Sequence, residues 1–303
     1  MRRMLAVISG ALLLLFTGTP LEAFAANAGN CGRYVKCGEN HGGIDTSTSR
    51  DQVANLPRIP GDNGSAPIDP AYNGPRYEYD TTIACTFQPP GGPSAEALCT
   101  VAITTCSDPA KGAGPLTRIW RRTINPDGTI SGWTQIGVTC WADVAPGSRP
   151  RVTMDMIINA FHHTPWSQAQ LTTQPAGNIT LVGLDTYYQV NWTPTGYQPD
   201  EVDTVTLLGY AVQIRPRLDH FSYVFGDGHT FGPTTYLGGV YPTGTITHQY
   251  RSEGAYGSRV DTTFGADFRI NGSAWAPIPD TVTVPGPPTN VTVRTATARL
   301  VTH

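Results

Sequence analysis

The 303-residue chain is short of charge, of familiar reaction motifs and, in its second half, of cysteine. Charged residues make up only 14% and the formal net charge is −3, so no basic surface announces a nucleic-acid partner. H-E-x-x-H, G-x-S-x-G, Walker A, the dinucleotide fingerprint and the EF-hand loop are all missing. Their absence removes the motif-bearing readings but leaves open a site assembled from scattered residues. No two cysteines have C-x-x-C spacing, which speaks against a zinc site of that type. No cofactor is expected.

What is present begins with an export pattern. Met1-Arg2-Arg3 precedes an apolar run from Met4 to Phe16, and Ala23-Phe24-Ala25 fits a small-x-small cleavage site. Residues 1–25 are therefore expected to be a signal peptide. The product would be secreted or held at the cell surface, with no stable membrane span once the signal is removed. Six cysteines follow: Cys31, Cys37, Cys85, Cys99, Cys106 and Cys140. An even number in an exported chain reads as disulfides. Cys31–Cys37 is the expected local pair, and the other four would staple the N-terminal half. The C-terminal half must then hold together by its core alone.

The 33 Gly and 26 Pro, with abundant Thr and Val, predict many short strands and turns. Residues 26–75 carry little apolar periodicity and are expected to be an irregular lead-in. A Cys-rich β module should occupy 76–165, with one helix at 151–163, and a β-sandwich should occupy 175–301. The module's clearest element is a hairpin around Asn125-Pro126-Asp127-Gly128, with Pro and Gly where a type I turn prefers them. Trp120 and Trp133 lie on its opposite arms, as a speculative ligand platform or as ordinary cross-strand packing. Arg118, Arg121 and Arg122 mark a solvated strand edge.

In the helix, Val152, Met156, Ile157, Ala160 and Phe161 make the apolar stripe, Thr153 caps the start and Pro165 stops the end. His162 and His163 are adjacent, so their side chains diverge by about 100° and do not share one ion easily. Cations at a helix C-terminus suit the dipole, and that helix-end role is the better reading. From Tyr256 to Asn271 the residues alternate strictly: Tyr256, Ser258, Val260, Thr262, Phe264, Ala266, Phe268 and Ile270 on one face, polar residues and glycine on the other. This is the period of a half-buried antiparallel strand, with Gly265 the candidate for a bulge.

"YVFGDG" followed by "THQYRSEGAYGSRV" resembles the PKD domain, an immunoglobulin-like sandwich. The matching positions are Phe225, Gly226, Asp227 and Gly228, then His248, Tyr250, Gly254, Tyr256 and Val260. The likeness covers roughly residues 205–275, with "HTFGPTTYLGGVYPTG" as an insertion-like departure and Val224-Phe225 in place of the commoner Trp-x-Phe start. More loosely, residues 145–301 resemble secreted actinobacterial proteins carrying one PKD-like domain, a group that brings no activity with it. The likeness implies a surface module for protein or carbohydrate contacts rather than a catalyst. The partner would be an envelope protein or a glycan. Five Asn-x-Ser/Thr sequons are present, but the likeness favours a bacterium and no glycan is assigned to them.

Residue chemistry agrees with an architectural role: Gly226 and Gly228 permit left-handed backbone, and Asp227 accepts hydrogen bonds from nearby amides. Tyr256 sits where a tyrosine corner would pin a loop. Two alternatives stay open, a structural accessory of an envelope assembly and a cryptic extracellular hydrolase. For the latter, Asp227, His229 and His248 offer the one carboxylate and two imidazoles that a mononuclear metal site needs. The structural reading of those three is preferred, and neither a catalytic nor a metal-binding residue is assigned.

Overall fold

In a computed structural model of the chain, the structure describes residues 48–62, 64 and 67–296. The expected signal peptide and the Cys31–Cys37 pair lie outside them. The described residues are mainly β, with several sheets, one of them a curled half-barrel, and two disulfides among them.

The stretch expected to be irregular contains a short helix, α1 (Arg50–Ala54). Ser49 and Gln52 form a reciprocal capping box at its start. Val53 and Leu56 are buried against Ile119 and Ala145, which is what holds so short a helix in place. Next come β1 (Arg76–Ile83), α2 (Thr100–Thr105), β2 (Thr117–Ile124) and β3 (Thr134–Thr139). The three strands form one antiparallel sheet in the order β1-β2-β3. Between β2 and β3 the expected turn is present: Gly128 N–H donates to Asn125 O, and Asp127 Oδ1 accepts from the Thr129 amide.

Cys85 is bonded to Cys99 and Cys106 to Cys140, so the four central cysteines all serve this region. Between the first pair, Glu96 receives the buried guanidinium of Arg151 and the exposed one of Arg149. α3 (Met154–His163) follows; Thr153 Oγ1 accepts from the Met156 amide, and Met154, Ile157 and Phe161 are its buried face. The helix begins three residues later than its expected start at 151: Thr153 is its extended N-cap, and Arg151 is held before it by Glu96 and Thr81.

The remaining strands are β4 (Ala169–Gln174), β5 (Ile179–Leu181), β6 (Thr186–Trp192), β7 (Asp203–Leu207), β8 (Tyr210–Val224), β9 (Thr230–Thr234), β10 (Thr247–His248), β11 (Gly254–Ile270), β12 (Ala276–Pro277), β13 (Val282–Pro285) and β14 (Thr289–Arg294). A small sheet runs β10-β6-β4. The larger, eight-stranded sheet is built on β8 and β11, which pair along almost their whole length. β14, β13 and β12 follow one another along the free edge of β11, and β7 and β9 along that of β8.

The alternation read in the sequence is the burial pattern of β11: its even-numbered residues from Ser258 to Ile270 are buried. The bulge is elsewhere. Gly265 pairs normally with Arg217, and the register shifts between Thr263 and Phe264, which leaves Asp219 of β8 as the extra residue. Pro216 is tolerated inside β8 because β7 ends opposite Ile214, so the edge at Pro216 has no strand to receive an amide.

β8 and β11 thread two hydrophobic clusters. Val212, Ile214, Phe264, Ala266, Phe268 and Ile270 meet α3 and the Cys-rich region through Ile157, Phe161, Ile83 and Ile103. Phe221, Tyr223, Phe225 and Val260 meet Leu171, Tyr188 and Val190 of the small sheet, with Val291 and Val293 of β14. The segments expected as a module at 76–165 and a sandwich at 175–301 therefore contribute to one shared core. Polar contacts cross the same divide, Thr100 Oγ1 to Ser273 Oγ at 2.6 Å and Tyr210 Oη to Glu96 O at 2.7 Å.

Candidate functional site

β8 leaves its sheet at Val224 and returns as β9 through a five-residue corner. Phe225 N–H donates to His229 O and closes it. Gly226 has φ +87°, and a Cβ there would lie 2.8 Å from Gly257 O, so both conformation and space demand glycine. Gly228 has φ +92° but open surroundings; only its backbone angle matters.

Asp227 is the hub of the corner. Oδ1 accepts from the His229 amide at 3.1 Å, and Oδ2 lies 2.7 Å from Nε2 of His248 on β10. Oδ2 also lies 3.3 Å from His229 Nδ1. The side chains of Asp227 and His248 are each only 12% exposed, whereas that of His229 is 57% exposed. The His248 ring stacks on Phe225 with centroids 4.2 Å apart and planes 1° from parallel. Burial pushes the Asp227 carboxyl up, but the His248 hydrogen bond, the His229 amide and the charge of both rings outweigh it and hold it below the ordinary carboxylate range.

Beneath this pair lies a buried hydroxyl network. Tyr250 Oη and Ser258 Oγ both donate to Phe225 O at 3.0 Å, and Tyr250 Oη is 2.6 Å from Tyr188 Oη. Burial pushes both the Tyr188 and Tyr250 phenols up, so they stay protonated and act as hydrogen-bonding struts. Tyr256 stacks on Tyr250 and its hydroxyl donates to Ser252 O, the hydroxyl-to-backbone bond expected of it. Gly254 begins β11 and Val260 is buried in the core beneath. The nine residues of the sequence motif thus gather around one corner of the larger sheet, where β8, β10 and β11 meet.

Other expected sites are dispersed. Trp120 is buried, with its indole N–H donating to Thr82 Oγ1 and its ring against Phe87. Trp133 lies under the Arg122 guanidinium instead. The two rings therefore form no common platform: Trp120 faces Gln135 across the hairpin, and Trp133 falls beside Arg122, two residues further along. Arg118 and Arg121 likewise sit over aromatic rings, Phe87 and Tyr77. His162 meets Asp280, whereas His163 bonds to Asn159 O within its own helix, so the adjacent imidazoles serve different partners.

The structure adds a surface that sequence reading missed. The insertion-like segment from 231 to 241 exposes Phe231, Tyr236, Leu237, Val240 and Tyr241, the last being 69% exposed. It is nevertheless pinned. Leu237 O accepts from the Val190 amide, the Gly239 amide donates to Tyr188 O, and Tyr223 Oη donates to Tyr236 O. Gly238 makes the approach possible, since a Cβ there would fall on Tyr188 O. At its end, Tyr241 meets Tyr187 edge to face at 5.7 Å, and its amide donates to Gln174 Oε1. Tyr187, Tyr241, Pro175, Leu184, Gln174 and Asp185 line an open cavity of about 400 Å³. The signal available in sequence was only the aromatic content of an inserted loop.

No family model matches the chain, and a search of curated proteins finds no match either.

Proposed function

We propose that the protein is an extracellular binding module, non-enzymatic, whose C-terminal portion is a PKD-like sandwich that engages carbohydrate through the Tyr187–Tyr241 cavity. The observation that carries this reading is a rigidly held, exposed aromatic loop beside a concave surface with few polar groups. Apolar patches of this kind mark interaction sites, and a pocket of apolar walls with a few placed hydrogen-bonding groups is the usual small-ligand design. Tyrosine rings offer flat faces to the C–H face of a sugar, and Gln174 and Asp185 offer acceptors and donors to its hydroxyls. The backbone bonds that pin residues 237–239 lower the ordering cost of binding. Two disulfides support placement in an oxidising, extracellular setting. No helix among the described residues is long and apolar enough to cross a membrane.

The test is binding of the purified protein to a glycan array and to isolated cell-wall polysaccharide, compared with Tyr241→Ala. Retention by wild type that falls at least about tenfold in the variant, roughly 1.4 kcal/mol, supports the reading. Glycan binding that is absent, or equal in both proteins, refutes it. Capture of a defined envelope protein by the same loop would favour the structural-accessory alternative.

A further inference from the structure

We propose that Asp227, His229 and His248 bind a single divalent transition-metal ion of the zinc class. This rests on observations separate from the glycan reading. One donor atom from each residue lies within 4.8 Å of the other two, and no other group of three such side chains meets that spacing among the described residues. Asp227 Oδ2 is 2.7 Å from His248 Nε2 and 3.3 Å from His229 Nδ1. A four-coordinate ion with ligands at about 2.0–2.1 Å places neighbouring donors roughly 3.3 Å apart. The first contact must therefore open slightly, the second already fits, and the two imidazoles need only a modest approach.

The mechanical arrangement suits that adjustment. His248 is fixed by its stack on Phe225, and Asp227 is held by the His229 amide. The exposed His229 side chain, at the tip of the corner, is the part free to close on an ion. Two imidazoles and one carboxylate suit zinc and its neighbours; calcium and magnesium prefer all-oxygen sets. An ion held by His248 Nε2 takes that nitrogen's lone pair, so the hydrogen bond from His248 to Asp227 Oδ2 is replaced by the two ligand bonds. His229 and His248 also line an open cavity of about 490 Å³ with Gly183, Gln249 and Arg251, so a further coordination position is accessible to water. The other carboxylate–imidazole pairs, His162 with Asp280 and His220 with Asp219, have two members rather than three.

The experiment is titration of chelator-treated, purified protein with zinc by calorimetry and with cobalt(II) by visible absorption. Wild type, His229→Ala and His162→Ala are compared. The expected result is one equivalent bound by wild type and by His162→Ala, with affinity reduced more than about tenfold in His229→Ala. Zinc should also raise the melting temperature of wild type but not of His229→Ala. Absence of saturable binding to wild type, or equal binding by His229→Ala, overturns the proposal. His229 is exposed at a turn, so its truncation leaves the fold intact; a melting curve without metal checks this, and His229→Gln serves as the second variant.

Discussion

At the scale of single residues, Asp227 ties two parts of the fold together. Its carboxylate joins the β8–β9 corner to β10 through the His229 amide and the His248 ring. Asp227→Ala should cost about 1–3 kcal/mol, because a largely buried imidazole loses its partner. The pH dependence follows from the depressed carboxyl. Its contribution is fully present above the unfolded carboxyl value of about 4 and is lost as pH falls through the lower folded value. Urea midpoints should therefore separate wild type from Asp227→Ala at pH 7 and converge as the medium is acidified below about pH 4. An equal gap at every pH would show that the carboxylate does not carry the effect. Gly226, Asp227 and Gly228 were legible in sequence because turn chemistry is local. The Tyr188–Tyr250–Ser258 network was not, because its members are 62 and 70 residues apart and only the folded sheets bring them together.

At the scale of elements, legibility followed the length of the pattern. The long alternation of β11 was read correctly; of the shorter α3 stripe Ile157 and Phe161 are buried, but Met154 rather than Met156 completes the buried face and Val152 lies before the helix. α1 and α2 were missed. α1 buries one residue, Val53, and Leu56 follows just beyond its end; their partners lie on β2 and in the loop at Ala145. α2 is "TVAITT", β-branched enough to read as strand, yet it is helical because Ala102 and Ile103 are buried in the shared core. Tertiary burial overrode local preference in α2, whereas in α1 the local Ser49–Gln52 capping signal was present but stood before too short a segment to be read. β8 and β11 carry the energetic weight, since each enters both clusters. Phe268→Ala in one cluster and Phe221→Ala in the other should each cost about 3–5 kcal/mol. Both should shift one common transition seen by circular dichroism and by tryptophan fluorescence. Two separated transitions in either variant would show that the clusters unfold independently.

At the scale of the whole molecule, the disulfides among the described residues close loops on either side of α2, the second of them around β2 and β3. They span sequence separations of 14 and 34, Cys85–Cys99 and Cys106–Cys140 respectively. On the chain-entropy account their removal costs about 3 and about 4 kcal/mol. Paired Cys→Ser variants should lower the urea midpoint in that order, the Cys106/Cys140 pair more than the Cys85/Cys99 pair; the reverse order would point to native contacts rather than loop closure. The pairing itself was unreadable from composition, because spacing alone does not choose among connectivities. Equally hidden was the sharing of one core by the Cys-rich segment and the long strands β8 and β11. Thr100 meets Ser273 across 173 positions of sequence, and neither carries a local mark of that contact.

The strands that run through both clusters also bear on the order in which the protein can be made. A chain leaves the ribosome from its N-terminus, and domains generally fold as they emerge. Here Ile83, Ile103 and Ile157 appear early, but Phe264, Phe268 and Ile270 that cover them belong to β11 and are synthesised well after them. The Cys-rich region must wait, with apolar side chains uncovered, until β11 is available. Contacts of such long range make for slow folding. A protein built this way closes its shared core only once β11 has arrived, so the early apolar segments depend on a strand made long after them.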